Sequence, residues 1–371
     1  MMTNDGQRAS VRSCQHWRRE GGRHVGLCYA AAGGAIASLF GIAAPWLIGG
    51  ICLTTFVALM RPFAGPPRLL IRASSVALGM SIGSRVGVSD LRLIATWPLS
   101  LAGMTVTVAA MFAGSYYALR RIFHWDLPTA FWASSPGALG IVLAMSSQAG
   151  ADVTKVTIVQ LLRVLAVMIA LPSIVGPTKA ATILPSSRLL GIGLLVFLFS
   201  LAGGLALRRL RWIKEPTAML FSGIIVSCIV HTHFSLDGNW GDALIAPACI
   251  VISSNVGSRF SGMGWRDLVQ LILPSTLSLF VATAIATAGS LALTLVSGLH
   301  WSQVLMAFAP GGLDALIAAA ILLGMDSLYV ATHQVLRLIL LSVALPVAAD
   351  FFERRVRAEK SARATSGVSL T

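Results

Sequence analysis

Two arginines, Arg163 and Arg337, stand several residues inside apolar runs, where a charge costs a few kcal/mol on insertion scales. Gln160 and Gln334 precede them by three positions, Asp152 and Asp326 by eleven. At about 100° per residue all three side chains share one face of any helix long enough to hold them. Buried cations need partners. These two could bind an anionic substrate, cap the carbonyls of a broken helix, or form structural Arg–Asp pairs that clasp parts of the chain together.

A break lies upstream of each arginine, at Pro136-Gly137 and at Pro310-Gly311-Gly312. Proline followed by glycine in an apolar stretch interrupts the helical ladder and frees N–H and C=O groups that lipid cannot satisfy. A helix restarting at Ala138 or at Gly312 would aim its positive dipole end at whatever fills the resulting cavity. The alternative is a kink that lets helices pack closely. Asp314 beside the second break has Gly140 as its counterpart, and His333 has Val159. A lone intramembrane carboxylate is a candidate for proton or sodium coupling, or an acid that complements a helix N-terminus.

Enzyme signatures are absent: there is no P-loop, no nucleotide fingerprint, no Ser-His-Asp arrangement and no HExxH. No catalytic residue and no cofactor is expected. His231, His233, Asp237, Asp242 and His300 are the one conceivable metal cluster, and an HxH pair without a spaced third ligand reads as interfacial histidines, so no metal site is expected. Cys14, Cys28, Cys52, Cys228 and Cys249 lack CxxC spacing and read as buried small residues.

The candidate residues recur because the chain is duplicated. Pro136 and Pro310, Gly150 and Gly324, Asp152 and Asp326, and Arg163 and Arg337 are all 174 positions apart, as are Gly83-Ser84-Arg85 and Gly257-Ser258-Arg259. His124-Trp125 and His300-Trp301 echo one another at 176. A period of half the chain means two homologous halves, not a solenoid.

Of 371 residues, 56% are apolar and 11% charged, and the mean hydropathy is +0.80. These values predict an all-α polytopic membrane protein. Ten apolar runs have roughly the length that a bilayer core needs: 25–42, 44–60, 69–84, 93–119, 156–176, 189–207, 216–235, 243–258, 268–297 and 328–350. Continuous rather than alternating apolarity excludes a β-barrel. The excess of 28 Lys and Arg over 14 Asp and Glu sits between runs, the pattern of cytoplasmic loops and not of a nucleic-acid surface.

If each Pro-Gly segment re-enters on its own side, ten crossings place 22 cations inside and 4 (Arg85, Arg92, Lys179 and Arg188) outside. Twelve crossings would export the Arg208–Arg211 cluster instead. Five crossings per half then make an inverted repeat, with both termini cytoplasmic. The expected organisation is a basic arm (1–24), membrane repeat 1 (25–176), a connector (177–188), membrane repeat 2 (189–350) and a frayed basic tail (351–371). Gly203-Gly204 would permit close packing within one chain or between copies in a homo-oligomer.

Ala44-Pro45-Trp46-Leu47-Ile48-Gly49, Gly-Met-Ser-Ile-Gly at 79–83, Trp97-Pro98, Pro136-Gly137, Gly150-Ala151-Asp152 and Gln160-Leu161-Leu162-Arg163 fall in that order. With their second copies they resemble the AbrB-type duplicated bacterial membrane protein family, over about residues 25–352. The resemblance implies a bacterial inner-membrane location and the labels attached to that family, regulation of gene expression and "putative ammonia monooxygenase". No catalytic or DNA-contacting residue of the family maps onto this chain, so direct nucleic-acid binding is not expected.

The expected function is secondary transport or export of a small solute across the lipid bilayer. The candidate pathway comprises Pro136, Gly137, Asp152, Gln160, Arg163, Pro310, Gly311, Gly312, Asp314, Asp326, Gln334 and Arg337. A membrane-bound regulator acting indirectly on gene expression is the alternative, and a membrane oxidase is disfavoured.

Overall fold

Proline and glycine set the helix boundaries that position the two breaks. The computed structural model describes residues 24–42, 44–84, 97–137, 139–175, 187–209, 215–234 and 242–366. Expectations concerning the arm before residue 24, Arg85, Arg92, Ala138, connector residues 177–186 with Lys179, Arg211, Lys214 and Asp237 lie outside the described residues.

The first half contains α1 (Val25–Leu39), α2 (Pro45–Met60), α3 (Arg68–Gly83), α4 (Pro98–Arg121), α5 (Leu127–Ser134), α6 (Leu139–Gln148) and α7 (Val153–Val175). The second repeats that order: α8 (Ser187–Leu207), α9 (Glu215–Phe234), α10 (Asp242–Ser258), α11 (Trp265–Ser297), α12 (Trp301–Phe308), α13 (Leu313–Leu322) and α14 (Ser327–Ser366). Prolines occupy the first turns of α2, α4 and α5, where their missing N–H costs nothing. The repeated Gly-Ala-Asp and Gly-Met-Asp signatures are punctuation. Gly150 (φ 73°) and Gly324 (φ 63°) take the left-handed conformation just after α6 and α13. Asp152 and Asp326 then cap the helices that follow, accepting from the N–H groups of Thr154 and Lys155 and of Leu328 and Tyr329 at 3.0–3.1 Å.

Among the described residues the ten apolar runs fall mainly on helices, and no strand occurs. Pro98–Arg121, Val153–Ala170, Trp265–Ser297 and Ser327–Leu345 are long and apolar enough to cross a membrane; the other apolar helices are shorter. Their outer faces are greasy: Leu39 is 86% and Leu295 87% exposed, as lipid-facing side chains would be. Cys249 is buried, but Cys28 and Cys52 are exposed, a correction to the expectation of burial. The tail expectation is corrected as well. α14 continues through residue 350 to Ser366, because Glu, Arg, Lys and Ala are good helix formers whether or not lipid surrounds them.

The halves pack reciprocally: α3 lies on α9 while α10 lies on α2, and α4 meets its own counterpart α11. Small residues bring these helices together. A Cβ on Gly79 would stand 2.2 Å from the Leu220 carbonyl oxygen, and one on Gly223 would stand 2.6 Å from that of Val76. Gly203 and Gly204 face Ser222 and Met219 of α9, so their close packing is within the chain. At the end of the α3–α9 contact Arg72 Nε is hydrogen-bonded to the Glu215 carboxylate, with Arg208 Nη1 at 3.4 Å. The hydrogen bond from Arg72 holds Glu215 below the usual carboxylate range.

Backbone atoms cannot retreat as a side-chain tip can. Gly79→Ala is therefore expected to destabilise the protein by about 1–3 kcal/mol through overpacking, read as a lower unfolding temperature in detergent micelles. Ala substitution at Gly191, which has nothing within 4 Å of a Cβ, serves as the control.

The Pro-Gly segments are pairs of short helices, α5–α6 and α12–α13. At about 1.5 Å per residue, neither an eight- nor a ten-residue helix reaches across a bilayer core. The first pair doubles back. Asp152 N–H donates to Thr129 Oγ1 at 2.9 Å, and Lys155 Nζ lies 5.6 Å from the Trp125 ring centroid, so the segment begins and ends at one level. Phe131 and Trp132 from α5, Phe308 from α12 and Tyr329 from α14 join one buried core shared by the halves.

Candidate functional site

A helix ending inside an apolar core leaves up to four carbonyls without intrahelical partners and a partial negative charge at its end. α5 and α12 end this way, and the Gln and Arg of the next long helix meet their free carbonyls. Gln160 Nε2 donates to the carbonyls of Trp132 at 3.2 Å and Ser135 at 2.8 Å. Arg163 donates to Ser134 at 3.4 Å, and also to the Ser135 carbonyl and the Gln160 amide oxygen. In the second copy Gln334 donates to Met306, Ala307 and Ala309 at 3.0–3.4 Å. Arg337 donates to Ala309 at 2.5 Å and Gly311 at 2.7 Å.

Both arginines are almost wholly buried, 2% and 4% exposed. Among the described residues neither lies within ion-pair distance of a carboxylate. The structural Arg–Asp clasp is thus replaced by carbonyl capping. Asp152 and Arg163 share a helical face, but eleven residues of rise put them about 16 Å apart along it, and Asp152 pairs with Lys155 at 3.5 Å instead.

The two breaks meet. Gly137 (φ 119°) lies so close to Arg337 of the other half that an added Cβ would be 3.8 Å from Nη2 and 3.9 Å from Nε. Across the same junction, Met168 and Val164 of α7 flank Gly311 and Gly312. Arg163 and Arg337 are near enough to repel one another. The structure brings Gly137, Gln160, Arg163, Gly311, Gly312, Gln334 and Arg337 together, with Pro136 and Pro310 buried at the turns. It separates Asp152 and Asp326, which are exposed caps.

Asp314 on the first turn of α13 interacts with the Ser75 hydroxyl of α3 and lies in the field of Arg259; its Oδ1 is buried and unpartnered. Two further buried polar atoms without partners border the breaks, Ser135 Oγ and Gln334 Oε1. Chemically, the centre can hold negative charge: among the described residues the two guanidinium groups, each with five donors and no acceptor, meet neutral carbonyls and an amide.

Of the partners that the sequence offers the two arginines, the structure displays the carbonyls of the broken helices. The sequence reading missed the contact between Ser100 Oγ on α4 and His333 Nε2 on α14, which no spacing rule signals across 233 residues. His231 is buried, with Nδ1 2.9 Å from the Ser227 carbonyl of its own helix. Among the described residues no three His, Cys, Asp or Glu side chains are grouped to hold a metal ion.

Apolar helices, two halves in the same helix order and a polar centre made at two broken helices define a polytopic helical protein of the membrane type. The chain belongs to the AbrB family: the family model described as transition state regulatory protein AbrB matches residues 46–353, as the motifs anticipate. It is similar to "Uncharacterized protein YhjN" of Bacillus subtilis (strain 168), 25% identical over 347 residues that cover 86% of this chain and 90% of that protein. It is also similar to "Putative regulator AbrB" of Escherichia coli (strain K12), 26% identical over 302 residues covering 77% and 83%. No solved structure matches it.

Proposed function

We propose that this protein is a secondary transporter of a small anionic solute in the bacterial inner membrane, built as an inverted repeat of five crossings and one re-entrant helix pair per half. The carrying observation is the meeting of two helix breaks around Arg163 and Arg337, buried cations with no carboxylate partner among the described residues. A net positive charge so deeply buried is costly unless an anion completes it. The return of the first re-entrant pair to its own level and the cation distribution support ten crossings with cytoplasmic termini. Reciprocal packing of α3 on α9 and α10 on α2 suits halves that exchange conformations to alternate access.

The test uses proteoliposomes and labelled phosphate, sulfate, succinate and citrate as probes. Saturable uptake of at least one is expected. Topology is checked with single cysteines at Ser84 and Ser258, labelled from outside in intact cells, where 84 is expected to react and 258 to be protected. Labelling on one side for both, with no uptake of any probe, would remove the transporter reading.

The name of the Escherichia coli relative favours a second reading, a membrane-bound regulator acting indirectly through the basic terminal segments. Deleting those segments would then abolish the regulatory phenotype, while Asp314→Asn would leave it intact.

A further inference from the structure

Two arginines, Arg120 and Arg121, end α4, and beside them opens a cleft of about 590 Å³ lined by Tyr116, Tyr117, Arg120, Arg121 and His124. That volume lies within the range of about 300–1,000 Å³ usual for small-molecule sites. The lining holds two fixed cations and no carboxylate, and among the described residues neither arginine lies within ion-pair distance of one. Asp126, close by in the chain, is engaged in capping α5 through the Thr129 N–H at 3.1 Å. Arg120 Nη1 donates to the Trp125 carbonyl at 2.7 Å, which spends one of its five N–H groups. Arg121 stands 5.8 Å from the centroid of the Tyr117 ring, a cation–π distance. Both guanidinium groups are oriented, and donors remain for a ligand.

Below the cleft the outer face of α4 is apolar. Val106, Ala113 and Tyr117, spaced by seven and four, share one helical face, and all three are exposed, Val106 by 70% and Tyr117 by 63%. From Val106 to Arg120 the helix rises about 21 Å, more than the depth of about 15 Å that one leaflet gives to hydrocarbon. A cationic head on an apolar stem of that length complements a molecule of opposite build, an anionic head on acyl chains.

The second half shows that the fold does not need these side chains. The offset of 176 that carries His124-Trp125 to His300-Trp301 carries Tyr116, Tyr117, Arg120 and Arg121 to Ala292, Leu293, Val296 and Ser297. There α11 ends on Gly298 (φ 69°) with no basic residue in its last turn, and His300 has φ −66°. In the first half His124 itself takes φ 52°, a conformation uncommon outside glycine.

We propose that this cleft binds the phosphodiester head of an anionic glycerophospholipid, Arg120 and Arg121 taking the phosphate oxygens and the exposed face of α4 the acyl chains. Guanidinium forks match phosphate oxygens in pairs, and basic pockets beside membrane helices hold anionic headgroups. Tyrosine, with an apolar body and a polar tip, belongs at headgroup level. The carbonyl that Arg120 holds belongs to Trp125, one residue before the α5 cap, so the lipid would sit at the foot of the first broken helix pair. The assignment needs the chain to lie in a membrane; it does not need the chain to transport anything.

Native mass spectrometry of the full-length protein in micelles, titrated with dioleoyl phosphatidylglycerol or dioleoyl phosphatidylcholine, tests this. Saturable retention of phosphatidylglycerol is expected, about tenfold or more tighter than that of phosphatidylcholine, as two arginines at about 1 kcal/mol each imply. Arg121→Gln should weaken it about fivefold, and Arg120→Gln combined with Arg121→Gln about thirtyfold. Arg121→Gln alone leaves the Arg120–Trp125 bond in place and keeps the test open if the double variant fails to fold. Arg266→Gln, which removes an exposed cation outside the cleft, should change nothing.

Equal retention of the two lipids, equal losses in Arg121→Gln and Arg266→Gln, or displacement of the lipid by inorganic phosphate at comparable concentration overturns the proposal. Selective retention without uptake of any anion probe leaves the lipid site standing and removes the transporter reading, whereas uptake by a protein whose lipid retention ignores Arg121 does the reverse.

Discussion

Arg337→Ala is expected to lower stability by about 2–4 kcal/mol, the scale of two charge-assisted hydrogen bonds to buried carbonyls, and to abolish anion uptake. The guanidinium lies 2.5 Å from the Ala309 carbonyl and 2.7 Å from that of Gly311. After truncation the 3.4 Å contact from Gln334 is the side-chain donation left to Ala309. One effect opposes the loss, since removing a buried cation relieves both its desolvation and the repulsion between the two arginines.

Arg337→Lys separates the two contributions. It keeps the charge but offers one point donor in place of a fork, so stability should fall nearly as far as with alanine while some anion binding survives. Thermal unfolding in micelles and uptake by proteoliposomes read the two quantities independently. Unchanged stability in the alanine variant would mean that the carbonyls find other partners and that the capping account is wrong.

Alanine substitution at the two breaks should give unequal results although the motifs are twins. Gly137 has φ 119°, and the nearest atom to an added Cβ, Leu341 Cδ1, is at an ordinary 3.7 Å. Backbone strain alone, about 1–3 kcal/mol, sets the cost of Gly137→Ala. Gly311 is not in the left-handed region, and its Cβ would meet Leu316 Cδ1 and Met168 Cε at 2.9 Å. Those are the far ends of flexible side chains, and methionine yields readily, so Gly311→Ala should cost under about 1 kcal/mol. Gly137→Ala should also disturb uptake more, because strain relieved at residue 137 moves the backbone beside Arg337. Chemical unfolding of the two variants side by side measures the difference, and a larger loss for Gly311→Ala would contradict the conformation of the first break.

Residue spacing identified Pro136-Gly137, Pro310-Gly311 and the Gln–Arg pairs as one repeated unit, and the structure assembles that unit by a local mechanism. Proline ends a helix, and a side chain about 28 positions later on the next long helix satisfies the freed carbonyls. The aspartates misled for an equally physical reason. A shared helical face is an angular relation only, and the axial rise between Asp152 and Arg163 defeats contact. Gly150-Ala151-Asp152 is a helix stop followed by a helix start, which local chemistry allows one to read without any fold.

The sequence by itself determined that this chain is a duplicated helical protein of the membrane type, because apolar run length, a constant offset of 174 and proline–glycine breaks are properties of the chain alone. Only the tertiary structure decided that the first broken helix pair closes through Thr129 and Asp152. It also decided that Arg337 lies against the opposite half's Gly137, and that His333 reaches Ser100 across 233 positions. These are pairings between distant segments, set by where small residues let helices approach and by which buried polar atoms remain to be satisfied once they have.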